Sequence, residues 1–108
     1  MTSQTLALLS AFLEDPTRPR YGLELAARAG LKSGTLYPAL ARLERAGWLA
    51  STWERVDPRV EKRPRRRLYE LTGKGRERAD AALGAHLARL GASPLPRFGQ
   101  PVPGEQPA

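Results

Sequence analysis

The chain has 108 residues, no cysteine, one histidine, and 18 Lys and Arg against 11 Asp and Glu, for a formal net charge of +7. That length accommodates one domain with one modest core. The missing cysteines exclude disulfides and thiolate metal sites, and the basic balance points to a polyanionic partner, nucleic acid before an anionic membrane.

No apolar run is long enough to span a membrane, and the first residues lack the basic-then-apolar layout of a secretory leader, so a soluble cytoplasmic protein is expected. Helix one is predicted over Thr2 to Leu13. Leu6, Leu9 and Leu13 recur at helical spacing with Phe12 beside them, and Thr2 or Ser3 offers a hydroxyl cap. Pro16 and Pro19 end it. Tyr21 to Ala29 reads as helix two, with Tyr21, Leu25 and Ala29 on one side. Gly30-Leu31-Lys32 is a tight turn into a third helix over 33–46, and two helices joined in this way form a helix-turn-helix.

The third helix carries the most information. Ser33 is its expected N-cap and Gly47 its expected stop. Leu36, Leu40 and Leu43 share one face. At about 100° per residue, Gly34, Tyr37, Pro38, Ala41, Arg42 and Arg45 point away from that stripe. A merely solvated helix would carry Glu and Lys there. Small residues, one stacking ring, one rigid ring and two guanidinium groups instead make a face that presses against a large anion. Pro38 is tolerable because it lies near the first turn, and the carbonyl its ring crowds belongs to Gly34.

Leu49 to Arg55 reads as a strand with Leu49, Ser51 and Trp53 on one face, and Arg67 to Leu71 as a second. Between them, 56–66 is charged and turn-rich. Ten positive and four negative side chains stand between Arg55 and Arg78, so most of the excess charge sits in this stretch. A hairpin with a long basic loop directly after a helix-turn-helix is a wing. Plainer readings of the cluster are a solvated charge run or, for Lys62 to Arg67, a nuclear-localisation tract. The flanking strands favour the wing. Thr72 caps a final helix over about 75–90, whose Ala79, Leu83, His86 or Leu87, and Leu90 suit either the core or a partner helix. From Ala92 the chain is rich in proline, with Gly99 and Gly104, a composition that predicts disorder over 92–108. The expected fold is mainly α with a small two-stranded β-wing. It is a winged helix-turn-helix domain over 1–91, in the order helix, helix, helix, strand, wing, strand, helix.

Ser33-Gly34-Thr35-Leu36-Tyr37-Pro38-Ala39-Leu40, Arg42-Leu43-Glu44 and Gly47-Trp48-Leu49 resemble the core of the PadR-type winged-helix transcriptional regulators. Trp53-Glu54 and the run from Arg63 to Gly75 resemble that family's wing and second strand. The resemblance covers roughly Leu6 to Arg78. It implies a dimeric, usually repressive protein that binds palindromic double-stranded operators, with the third helix in the major groove and the wing on flanking backbone or minor groove. Two departures stand out. Tyr21-Gly22-Leu23-Glu24-Leu25 occupies the place of the family's His-Gly-Tyr-Glu-Leu. The proline-rich tail also begins soon after Leu90, so a homodimer would use helix one with a short last helix. That last helix has no aromatic residue, whereas some relatives hold flat effectors between aromatic side chains there; an effector for this chain is left unassigned.

For binding, Lys32, Arg42 and Arg45 are expected to reach phosphates or guanine edges. Ser33 and Thr35 donate to phosphates beside Gly34, and Tyr37 packs on sugar or a thymine methyl next to Pro38. Arg63, Arg65 and Arg66 suit phosphate or minor-groove contacts. Leu36, Leu40, Leu43, Trp53 and Leu71 are assigned to the core, and Tyr69 to core or wing base. No enzyme, cofactor or metal site is expected. His86 has no second histidine, and Thr72-Gly73-Lys74-Gly75 lacks the spacing of a phosphate loop. Two other classes stay open: a winged-helix RNA-binding module, and an adaptor docking its basic wing on an acidic protein.

Overall fold

Thr2 opens the first helix, its hydroxyl accepting the Thr5 amide at 3.2 Å. The structure is a computed structural model and describes residues 1–91; the disorder expected of the tail falls outside them. In chain order the elements are α1 (Ser3–Leu13), β1 (Arg20–Tyr21), α2 (Gly22–Ala29), α3 (Ser33–Arg45), β2 (Leu49–Trp53), α4 (Pro58–Glu61), β3 (Arg67–Leu71) and α5 (Gly73–Arg89). The fold is mainly helical with one small antiparallel sheet, in the order β1-β3-β2.

The helix α1 packs against α2 and α5 and also touches α3. Leu8 and Ala11 are therefore buried along with the expected Leu6, Leu9 and Phe12, whereas Leu13 is only half-buried. A helix covered on several sides needs more than one apolar stripe. Across the core from it, α3 contributes Leu36, Ala39, Leu40 and Leu43.

The sheet departs from expectation by one strand. Arg20 and Tyr21 pair with Tyr69 and Leu68, so Tyr21 is a strand residue and α2 begins one position later, at Gly22. Two residues are too few to show an alternating pattern, so the strand is set by its partner β3. Arg20 is 2% exposed, and its guanidinium bonds Glu24 at 2.9 Å while its Nε finds no partner. Glu24 also faces Arg18 at 3.7 Å and Arg28 at 3.6 Å. One carboxylate thus gathers three guanidinium groups where β1 meets α2.

Between α2 and α3, Gly30 adopts φ 68°, and the Leu31 amide closes on the Ala26 carbonyl at 3.0 Å. The helix α3 starts one residue before its expected first turn: Lys32 is the N-cap, without a side-chain bond, and Ser33 is already helical. At the other end Gly47 takes φ 81°. Its amide reaches the Glu44 carbonyl at 3.0 Å, and that of Trp48 reaches Leu43 at 2.9 Å. This is a Schellman stop, and only glycine adopts that backbone without steric cost.

The expected position of Trp53 in the core is incorrect. The ring is 59% exposed. Leu49 at the near end of β2 is buried, Ser51 is half-buried, and the same face meets solvent by Trp53. Tyr69 and Leu71 do pack on the core.

The chain closes at the root of the wing. The Thr72 amide bonds the Trp48 carbonyl at 3.0 Å, and the Thr72 hydroxyl donates to the Gly47 carbonyl at 2.6 Å. The same oxygen accepts the Gly75 amide at 2.9 Å, which makes Thr72 the expected cap of the last helix. A Cβ at Gly75 would lie 1.9 Å from the Trp48 carbonyl oxygen, whereas one at Gly73 would meet nothing within 4 Å. Gly75→Ala is therefore expected to destabilise the domain by about 3 kcal/mol, as overpacking against backbone does. Gly73→Ala should leave stability unchanged or raise it by up to about 1 kcal/mol. Urea denaturation followed by circular dichroism checks both.

Candidate nucleic-acid interface

Burial of the leucine face of α3 turns the opposite face outward. Lys32, Ser33, Gly34, Thr35, Pro38, Arg42 and Arg45 are all exposed. The ring of Tyr37 is 44% exposed, and its hydroxyl rests against the start of α2, where a Cβ on Gly22 would fall 2.3 Å from it. Glycine at position 22 thus makes room for the ring that α3 presents. At the start of α3, the Ser33 and Gly34 amides precede the first intrahelical donors, which leaves them available to an anion. Among the described residues, Lys32, Arg42 and Arg45 form no ion pair.

The wing loop is more ordered than a solvated charge run. Asp57 caps α4 by accepting the Arg59 amide at 2.9 Å, Pro58 takes the first turn, and Lys62 ends the helix at φ 56°. Glu54 holds the loop together: Arg63 donates to its carboxylate at 2.7 and 3.1 Å, and the Arg66 amide does so at 3.1 Å. The bond from Arg63 holds the Glu54 carboxyl down at about 2, against the opposing effect of desolvation. Arg63, expected on the nucleic acid, is placed here as the clasp of the loop.

Arg66 lies over the Tyr21 ring at 4.2 Å, and Arg67 lies over Trp53 at 5.0 Å. Arg65 stays exposed, its Nε donating to the Val56 carbonyl at 2.9 Å. The wing is joined to α3 by a short relay. The Arg67 Nε donates to the Ser51 hydroxyl at 3.1 Å, and that hydroxyl donates to Glu44 at 2.6 Å.

Tyr21, Glu54, Trp53 and Arg67 also shape the hairpin, through contacts that the sequence pattern did not assign to them. Trp53, Glu54 and Arg67 left a signal only as part of the family resemblance of the wing, and nothing at Tyr21 pointed to its contact with Arg66. Among the described residues no His, Cys, Asp and Glu cluster suits a metal ion, and no helix is long and apolar enough to cross a membrane.

A helix-turn-helix with its second helix laid bare, followed by an antiparallel hairpin with a cationic loop, defines a winged helix-turn-helix domain. Residues 10–81 match the "Transcriptional regulator PadR-like family". The chain belongs to that family, which consists of transcriptional regulators and not of enzymes. No curated protein gives a match. Among solved structures, the PcaV transcriptional regulator from Streptomyces coelicolor, in complex with its natural ligand, is similar at 28% identity and a TM-score of 0.64. That alignment covers 84% of this chain and 58% of PcaV, so the chain spans little more than half of that relative's length. A PadR-like transcription factor from Bacteroides fragilis is similar at 28% identity and a TM-score of 0.58, over 82% of this chain and 85% of that one. A PadR family regulator from Clostridium difficile R20291 shares the fold at 22% identity and a TM-score of 0.64, over 82% of this chain and 94% of that one.

The lowered pKa of the Glu54 carboxyl has a defined consequence. The Glu54 clasp contributes fully above the ordinary carboxyl value of 4.5 and is lost as pH falls from there toward about 2. Carbon NMR of the Glu54 carboxyl is expected to titrate near 2 in the wild type and to move up toward 4.5 in Arg63→Ala.

Proposed function

We propose that this protein is a sequence-specific transcriptional repressor of the cytoplasm that binds double-stranded DNA as a homodimer on a palindromic operator. The exposed face of α3, with Tyr37, Pro38, Arg42 and Arg45, reads the major groove. Lys32, Ser33, Gly34 and Thr35 hold phosphates at the helix start, and Arg65 and Arg66 on the wing grip flanking backbone or minor groove. Arg63 serves the same contact indirectly, by shaping the loop that carries Arg65. The observation that carries this reading is the division of α3 into a buried leucine face and an outward face whose cations have no internal partner.

The second copy is reached through α5, with α1 beside it. Along α5 exposure rises from Ala79, fully buried, to Leu87 at 39% and Leu90 at 65%. The distal turns thus carry an apolar edge that the described residues leave uncovered, whereas most leucines of α1 are already spent on the core.

Selection from random duplexes is expected to recover a palindrome. Arg42→Ala should lower the preference for that sequence over others. Arg65→Ala should weaken all duplexes alike and flatten the salt dependence by about one unit. Binding of single-stranded RNA as tightly as any duplex would replace this reading with the RNA-binding one. Light scattering should give twice the chain mass for the wild type and the single-chain mass for Leu87→Asp/Leu90→Asp.

A further inference from the structure

A tryptophan with most of its surface in water needs an explanation, because this side chain is highly buried on average. Trp53 is 59% exposed and yet held in place. Arg67 covers it at 5.0 Å, and Arg67 is itself fixed through Ser51 to Glu44 of α3. The ring is therefore presented in one orientation relative to the helix that faces DNA, at little further cost in side-chain freedom.

Trp53 also lines an open groove of about 640 Å³ with Arg55, Arg59 and Arg65. The two carboxylates in that lining are occupied: Glu54 by Arg63 and the Arg66 amide, Asp57 by the start of α4. Arg55 forms no ion pair among the described residues, and the Nε bond of Arg65 leaves its terminal amino groups unused. A second, mainly apolar groove of about 480 Å³ adjoins it, walled by Trp53, Pro58, Pro64 and Arg65. Proline rings have no rotamers to lose when covered.

We infer that Trp53 is a DNA-contacting residue, its ring packed on the sugars of one strand while Arg55 and Arg65 bracket it on the adjacent phosphates. An apolar surface set between unpaired guanidinium groups matches a strand in which apolar sugar faces alternate with charge. An apolar partner would leave the arginines desolvated and unpaired, and an acidic peptide would leave the ring without a partner. This inference rests on the DNA-binding reading and adds to it a contact that carries little charge.

The test uses intrinsic fluorescence with a mixed-sequence duplex at low salt. The chain has two tryptophans, and Trp48 is half-buried against the core. Duplex is expected to quench wild-type emission, the quenching persisting in Trp48→Phe and vanishing in Trp53→Phe. Trp53→Ala should weaken binding about tenfold, as loss of a well-placed aromatic anchor does, without changing the salt slope; Arg55→Ala should reduce the slope by about one unit. Trp53→Phe guards against misfolding and should bind between wild type and Trp53→Ala. If Trp53→Ala binds as wild type, or Trp48→Phe binds without quenching, the inference falls. Should Arg65→Ala still weaken binding in that case, the DNA-binding reading stands without it. If wild type fails to bind duplex at low salt, both fall.

Discussion

Four segments meet where the Thr72 side chain sits, and the geometry of the rest depends on that meeting. One hydroxyl closes the carbonyl end of α3 through Gly47 and opens α5 through the Gly75 amide. The Thr72 backbone amide ties the end of β3 to Trp48 at the entrance to β2. Gly75 is the steric condition of this arrangement, since a methyl group there would occupy the place of the Trp48 carbonyl. The end of α3 and the root of the hairpin are thereby tied to each other by short hydrogen bonds.

The wing resolves a conflict between order and charge. Like charges this dense repel, and a loop that neutralised them all would have little left for an anion. Three arginines are committed within the fold: Arg63 on Glu54, Arg66 on Tyr21, Arg67 on Trp53. The stacked pair keep their edges, because a ring accepts the face of a guanidinium and leaves its N–H groups directed sideways. Arg55 and Arg65 then project from a framework that is already rigid.

Legibility followed periodicity and capping. The leucines of α3, the Gly47 stop and the Thr72 cap appear in the structure as their spacing and chemistry indicated. The misses have physical causes. Two residues, Arg20 and Tyr21, cannot display alternation, and their strand is created by β3. Trp53 carries the alternation of an inward residue, but burial on that face fades along β2, and the local pattern does not encode how far the core reaches. A buried arginine runs against the general rule for charged side chains. Arg20 obeys the exception because Glu24 lies one helical turn further on. The outward face of α3 was legible because its residues repeat on one helix, whereas the hairpin was opaque because it depends on what each arginine faces across it.

The order β1-β3-β2 places the returning strand of the wing in the centre of the sheet, and a single residue separates it from α5. No slack lies between the basic loop and the helix that carries Leu87 and Leu90. The loop proposed to hold DNA and the helix proposed to meet a second copy are thus joined through one continuous segment, so under that reading the two contacts share a common frame.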